Sequence, residues 1–444
     1  MITRHGMSLV LILLCLFFSA VTVREDNPSG AKAGEALARS LGNRPTPANL
    51  LVVTRGTDED KLMVAALAAA VTNHGWNIVG VAEGGPREAR EILDRLNEAK
   101  TTIDAIATTP ECATWTLLQG IRDRFKNLGS PAIRTPASSR WPVFLTRQNL
   151  LNVADQIVVV AILSAGLTFV ILTGGIDLSV GSLIALAAVL ATRIVHDQFG
   201  GPQASIAGLL TGTFLALLFC AGFGLISGAV VVQFKLPPFI ATLALMQAAS
   251  GLAFILAKGQ SIYELPESTT WLGRGTGLFG LPHAVLLMIL VFAAAQIILT
   301  RTVLGRQIYA VGGNETAARL SGVPTGRVKL FAYVTSATLA GLGGIVMASQ
   351  LKSGSPTYGT SYELYAVAAV VVGGTSLNGG EGSVIGTLVG AFIIAVINNG
   401  MNLTGVESYT QKVVLGLVIL TAVMLDRLKH RFKLGKLRPK SAKP

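Results

Sequence analysis

The run Val170–Ser182 reads V-I-L-T-G-G-I-D-L-S-V-G-S. An apolar helical stretch stops at Gly174-Gly175, a lone carboxylate (Asp177) follows, and apolar sequence resumes after Gly181-Ser182. A carboxylate facing lipid costs several kcal/mol, so Asp177 is expected to face protein, water or a membrane boundary. A second stretch, Val370–Gly386 (V-V-V-G-G-T-S-L-N-G-G-E-G-S-V-I-G), has the same rhythm. Apolar segments broken by such turns point to helices that start and stop at or within a membrane.

The composition agrees. Of 444 residues, 51% are hydrophobic, 14% are charged and 49 are glycine. That balance excludes disorder and an ordinary soluble enzyme, and glycine at this level permits close helix packing in a polytopic helical membrane protein. The formal net charge of +12 would suit nucleic acid, but many basic residues sit at the ends of apolar segments and in the tail. Their neighbour is expected to be the cytoplasmic face of a lipid bilayer, with no nucleic-acid partner. Cys15, Cys112 and Cys220 show neither pairing nor metal-ligand spacing, and no metal site is expected.

Working outward toward the N-terminus, residues 1–23 carry Arg4 and His5 before the apolar run Leu9–Phe18 and then Ser19-Ala20. This reads as a first transmembrane helix, with a cleaved signal segment as the alternative. Residues 24–142 are different in kind. Strand candidates at Leu50–Thr54, Asn77–Ala82, Ala105–Thr108 and Ala132–Thr135 alternate with helical patterns at Asp58–His74, Pro86–Lys100 and Glu111–Asn127. Such alternation predicts a small α/β domain of βαβ units around a parallel sheet. The segment resembles the N-terminal lobe of periplasmic sugar-binding proteins of the ribose type. The matching features are the first strand and loop (Val52–Asp58), a helix ending at Asn73-His74-Gly75-Trp76, a Pro86-started helix and Thr102–Ala107. Those proteins clamp ligand between two lobes, whereas this chain returns to apolar sequence after one. The lobe is therefore read as a remnant or docking decoration, with ligand sensing as the alternative.

Beyond Trp141-Pro142, apolar spans are predicted at Val153–Leu172, Val180–Ile194, Ser205–Val232, Phe239–Leu256, His283–Thr300, Val328–Leu351, Glu363–Leu377, Ser383–Asn398 and Gln411–Met424. With the first helix they make about ten. Lys235, the cluster Arg301, Arg306, Arg319, Arg327 and Lys329, and the basic tail 427–444 all fall on one side, which the positive-inside rule makes cytoplasmic. Both termini are then cytoplasmic and the α/β lobe periplasmic, in a bacterial inner membrane.

No catalytic motif or phosphate loop occurs, so no cofactor is expected on this chain. The loop Leu304–Lys329 contains a short predicted helix, Glu315–Leu320, with Asn314 as its N-cap and Ser321-Gly322 as its stop. Taken in order, G-G-I-D-L-S-V-G-S (174–182), F-K-L-P-P-F-I-A-T-L (234–243), G-G-N-E-T-A-A-R-L-S-G-V (312–323), G-G-T-S-L-N-G-G-E-G-S (373–383) and N-N-G-M-N-L (398–403) resemble the permease subunits of ribose/xylose/galactose-type ABC importers. The resemblance spans about residues 144–426, within a permease domain placed at 143–426. It implies that Gly312, Gly313, Asn314, Glu315, Ala317, Ala318, Arg319, Ser321 and Gly322 form the loop that docks on a separate ATPase subunit, where ATP and Mg are held. It also implies a periplasmic sugar-binding protein and a second permease copy as partners.

Gly174, Gly175, Asp177, Ser179 and Gly181, with Gly373, Gly374 and Ser376, are expected to form a gate or hinge near that loop, Asp177 capping the helix that begins near Ser179. Phe169, Gln247, Asn398, Asn399 and Asn402 are candidates for a sugar path, since such a path needs hydrogen-bonding groups and an aromatic face. Each has packing or capping as its alternative. Two competing functions are a gradient-driven secondary transporter, disfavoured by the scarcity of protonatable groups in the spans, and a membrane-anchored sugar sensor.

Overall fold

A computed structural model describes residues 2–43, 47–71, 74–418, 420–421 and 424. The basic tail 427–444, Asn73 and the end of the last predicted span lie outside the described residues or at their edge. The chain divides into two compact units, Met1–Thr22 with Val143–Pro444, and Val23–Pro142. The first unit opens with helix α1 (Ile2–Val21).

In the second unit, strand β1 (Val23–Asp26) pairs antiparallel with β6 (Ser139–Pro142), Val23 opposite Pro142, bringing the unit's two ends side by side. Between them lie β2 (Ala48–Thr54), β3 (Trp76–Glu83), β4 (Ala105–Thr108) and β5 (Ala132–Arg134), a parallel sheet ordered β3-β2-β4-β5. The helices are α2 (Gly30–Leu41), α3 (Asp58–Val71) and α4 (Pro86–Glu98). Alternation along β2 divides the core in two. Leu50 and Val52 pack with Leu37, Met63 and Leu67 on one face, and Leu51 and Val53 with Leu93, Leu118 and Leu128 on the other. A parallel sheet covered on both faces gives such unbroken apolar strands. The helix expected over Glu111–Asn127 is instead broken into single turns (Pro110–Ala113, Thr116–Gln119, Ile121–Arg124), interrupted at Thr114-Trp115 and Gly120. Buried Cys112 has its thiol pKa pushed up by desolvation, as suits an inert packing group.

The first unit is helical. Its elements are α5 (Arg147–Leu172), α6 (Val180–Phe199), α7 (Ile206–Gln233), α8 (Pro238–Leu256), α9 (His283–Arg301), α10 (Val303–Gly313), α11 (Glu315–Leu320), α12 (Thr325–Leu351), α13 (Tyr362–Val372) and α14 (Val384–Leu403). Seven of these are long and apolar enough to cross a membrane: α5, α6, α7, α8, α9, α12 and α14. Residues 408–418 are also helical. Helix starts are capped by side chains as their sequences dictate: Thr146, Ser205, Thr302 and Ser383 each accept a backbone N–H from the first turn. Val303–Gly313, read from sequence as loop, is a helix because Thr302 caps it.

Helix α12 is the centre. Gly343 faces Leu163 of α5, Gly344 the Ile184 carbonyl of α6, and Gly341 the Cys220 side chain of α7. Reciprocally, a Cβ on Gly166 would lie 2.9 Å from the Ser336 Cα and one on Gly224 2.6 Å from the Tyr333 carbonyl. Three helices thus approach α12 to backbone contact, the packing expected where lipid supplies no hydrophobic drive between helices. Helices α7, α8 and α9 show the opposite surface, with Leu210, Phe214, Ile255 and Leu290 exposed.

One expectation needs correction. The span read as Glu363–Leu377 ends at Val372, where Gly373 and Gly374 (φ +89°) stop the helix. Eleven residues rise only about 16 Å, half of a ~30 Å hydrocarbon core. The residues before it descend without helix beside α6: Gly354 packs on Thr192, and Gly359 on the Gly181 carbonyl. The segment read as a first helix, with a cleaved signal as the alternative, is α1. Phe18 of α1 is buried against Gly400 and stacks on Phe144 at 6.1 Å. The Thr22 hydroxyl and carbonyl accept the N–H groups of Phe144 and Val143. In this structure α1 is an integral part of the helical unit.

Gly344→Leu should lower the melting temperature of the detergent-solubilised protein by several degrees, since overpacking costs about 1–3 kcal/mol. An unchanged midpoint would contradict the backbone contact with α6.

Candidate functional site

Three glycine-rich segments meet at one end of the helical unit. Helix α5 stops in a Schellman motif, in which the Gly174 N–H reaches the Ile171 carbonyl (2.9 Å), the Gly175 N–H reaches Val170 (3.0 Å), and Gly174 sits at φ +78°. Helix α13 stops the same way through Gly374 to Val371 (2.9 Å) and Thr375 to Val370 (3.1 Å). The shared sequence rhythm is therefore a shared helix stop. The loop after α13 folds back. The Ser376 hydroxyl accepts from the Asn378 N–H (3.3 Å), the Ser376 N–H donates to Glu381 (2.9 Å), and the Gly380 N–H donates to the Leu172 carbonyl at 2.9 Å.

Gly312, near the end of α10, lies directly on that last bond. A side chain there would collide with the Leu172 carbonyl and the Gly380 nitrogen. Tyr309, one turn earlier, donates its hydroxyl to the Gly382 carbonyl (2.9 Å). The ends of α5 and α10 and the turn after α13 are thus joined backbone to backbone.

Helix α11 follows at once. Asn314 accepts the Ala317 N–H (2.9 Å), and the helix ends in a third Schellman motif at Ser321-Gly322, with Val323 N–H to Ala318 and Gly322 at φ +82°. Asn314, Glu315, Ala317, Arg319, Ser321 and Gly322 are exposed, whereas Ala318 is buried and seats the helix. Ala318 therefore cannot be an outward contact. Glu315 pairs with Lys329 of α12 (2.6 Å). Leu320, which sequence reasoning passed over, is 84% exposed, the signal being an apolar residue in an otherwise polar loop.

Asp177 is fully buried. One carboxyl oxygen accepts the Ser179 N–H (3.0 Å) and hydroxyl (2.6 Å), and the other accepts the Ser336 hydroxyl of α12 (2.9 Å). Its expected role as helix cap needs revision, because Ser179 is itself the N-cap of α6 and Asp177 forms an Asx-turn just outside it. What it holds is the turn 174–179 against α12. Tyr333, one turn from Ser336, is buried with its ring against Gly175, and its hydroxyl has no partner among the described residues.

The sugar-path candidates scatter. Phe169 is buried and packs edge-on to Phe331 at 6.1 Å, a core contact. Asn399 exchanges two amide hydrogen bonds with Asn149 (2.9 and 3.0 Å), a lock between α14 and α5. Asn402 accepts from Gln411 (2.8 Å), and Asn398 is half-buried. Gln247 borders a polar cavity. A larger cavity of about 510 Å³, between α6, α7 and residues 265–272, is lined by Val195, Leu209, Leu210, Leu265 and Trp271 and offers little to a polar ligand.

A family described as "Branched-chain amino acid transport system / permease component" matches residues 149–423, leaving Val23–Pro142 outside the match. The chain is 44% identical over 297 residues to the ribose import permease protein RbsC of Escherichia coli (strain K12), covering 66% of this chain and 90% of that one. It is 44% identical over 289 residues to RbsC of Bacillus subtilis (strain 168), covering 65% and 87%. To the L-arabinose transport system permease protein AraH of Escherichia coli (strain K12) it is 36% identical over 292 residues, covering 66% and 86%. No solved structure matches the chain. The helices, their glycine stops and the exposed loop described above are those of a multi-pass membrane protein that belongs to this family of transport-system permease components.

Proposed function

We propose that this chain is the membrane-spanning subunit of an ATP-driven importer of a monosaccharide, working with a separate ATPase that holds ATP and Mg, a periplasmic sugar-binding protein and a second permease copy. The observation that carries the coupling is the backbone junction of Gly312, Leu172 and Gly380, which leads from the exposed helix α11 to the turn bearing Asp177. The substrate class rests on the relatives named for ribose and arabinose. In the inner membrane, α1, α13 and residues 408–418 would join the seven long helices to make ten spans, with both termini and α11 cytoplasmic and residues 24–142 periplasmic. The lobe would then act as a docking platform for the binding protein.

In this reading α11 docks on the ATPase through Leu320 and its exposed polar neighbours. Movement passes through the junction to the hinge formed by Gly174, Gly175, Asp177, Ser179, Gly181, Gly373, Gly374 and Ser376. In this hinge Asp177 holds Ser336 of α12, and a movement of α12 would offer it the Tyr333 hydroxyl, one turn from Ser336 and without a partner among the described residues.

Leu320→Asp should abolish co-purification with the ATPase while leaving membrane insertion intact, and Glu315→Arg, which breaks the Lys329 pair, should weaken it. Retention of the ATPase by both variants would sink the docking role. Gly312→Val should retain the ATPase yet lose uptake by more than tenfold in reconstituted vesicles, the signature of uncoupling. Tyr333→Phe should raise stability by about 1–3 kcal/mol, since it removes a buried hydroxyl with no bond in this state, while reducing uptake at least threefold. Asp177→Asn should reduce it too. Normal uptake by both would rule out the two-position hinge.

A further inference from the structure

A polar cavity of about 180 Å³ lies between the start of α6, the middle of α8 and the non-helical run ahead of α13. Ser182, Gln247, Ser250, Tyr358, Thr360 and Glu363 give it hydroxyls, an amide and a carboxylate. The run 353–361 reads S-G-S-P-T-Y-G-T-S. Irregular backbone at membrane depth is tolerated where protein buries it or where it lines an aqueous cavity, and this run meets both conditions. Gly354 and Gly359 press on α6, while Tyr358, Gly359, Thr360 and Ser361 border the cavity. The run is held by its own hydroxyls, Tyr358 to Ser353 at 2.5 Å and Ser355 to Thr357 at 3.0 Å, and by a reciprocal backbone pair between Gly354 and Ile262 (2.7 and 2.9 Å). Broken helices of this kind build solute sites near the bilayer midplane.

We infer that this cavity is a transit site for the solute, and that its lining selects neutral polyhydroxylated molecules. The inference rests on the monosaccharide reading and deepens it. Glu363 and Gln247 accept and donate to solute hydroxyls, and the serine and threonine hydroxyls complete the set. Neither Lys, Arg nor His lines the cavity, so an anionic solute meets a carboxylate with no cation to offset it. The apolar wall is only Ala185, Met246 and Pro356, too little to hold the side chain of a branched amino acid.

The test uses the complete transporter, with its ATPase, in vesicles, and co-purification of the ATPase reports that each variant folds. Thr360→Cys, exposed at the mouth, is treated with a charged, membrane-impermeant thiol reagent, and Gln260→Cys, exposed in the stretch between α8 and α9, serves as control. Labelling of Thr360→Cys should cut ribose uptake more than tenfold, and excess ribose should slow the labelling. Labelled Gln260→Cys should transport normally. Gln247→Leu should raise the KM for ribose at least tenfold, and phosphorylated ribose should not compete. Normal uptake by labelled Thr360→Cys, or competition by the phosphorylated sugar equal to that by ribose, overturns the site. A wild-type complex that moves leucine but not ribose overturns the monosaccharide reading instead.

Discussion

The joining of α5, α10 and the turn after α13 depends on the absence of a side chain at Gly312. Any Cβ there would strike the Leu172 carbonyl and the Gly380 nitrogen, which are hydrogen-bonded to each other. Keeping that contact requires α5 to stop at Thr173, the chain after α13 to fold back through Gly379 and Gly380, and α10 to arrive end-on. The first two requirements are met by glycines in the left-handed region: Gly174, Gly379 and Gly380 lie at φ +78°, +85° and +73°. Backbone contacts of this kind carry displacement without the slack of flexible side chains. That gives a stiff connection between the exposed helix α11 and the buried turn bearing Asp177.

Asp177 shows how a carboxyl group can be buried without a cation. Its donors are one backbone N–H and two serine hydroxyls. Hydrogen bonds to a charged group are worth about 1.5–3 kcal/mol each, enough together to offset much of its desolvation. A lysine or arginine partner would bind more tightly but would fix the turn against α12. Hydroxyls satisfy the group without a cation, and the Tyr333 hydroxyl, one turn from Ser336, has no partner among the described residues.

The helix stops were legible because glycine pairs after apolar runs have a local cause. Thr173-Gly174-Gly175 and Gly373-Gly374-Thr375 form the same Schellman geometry, and Asn314 caps α11 from its own side chain. The lobe's strands were legible for a similar reason, being continuous runs of β-branched and aliphatic residues between turn signals. What the sequence hid is tertiary. Nothing local distinguishes α13 from a full span until its non-helical approach along α6 is seen. Asn399 looked like a solute contact because its partner, Asn149, lies 250 residues away. Ala318 sits in the middle of an exposed loop and yet faces inward, which only the placement of α11 determines.

The unit Val23–Pro142 poses a separate physical question, namely whether so small a sheet domain can stand alone. Its sheet is covered on both faces by its own helices, with a distinct apolar core on each side, so no second lobe is needed to bury it. The β1–β6 pair closes its ends, the arrangement in which an inserted domain is tolerated without disturbing the chain on either side. In open parallel sheets ligands collect beyond the carboxyl ends of the strands where the strand order reverses. Here that point lies between β2 and β4, and Arg55 after β2 forms an ion pair with Glu111 after β4. Two groups able to hold a sugar hydroxyl are thus engaged with each other, with roughly half of each side chain still exposed. A surface of satisfied, solvated charges is better suited to meeting another protein than to enclosing a small solute.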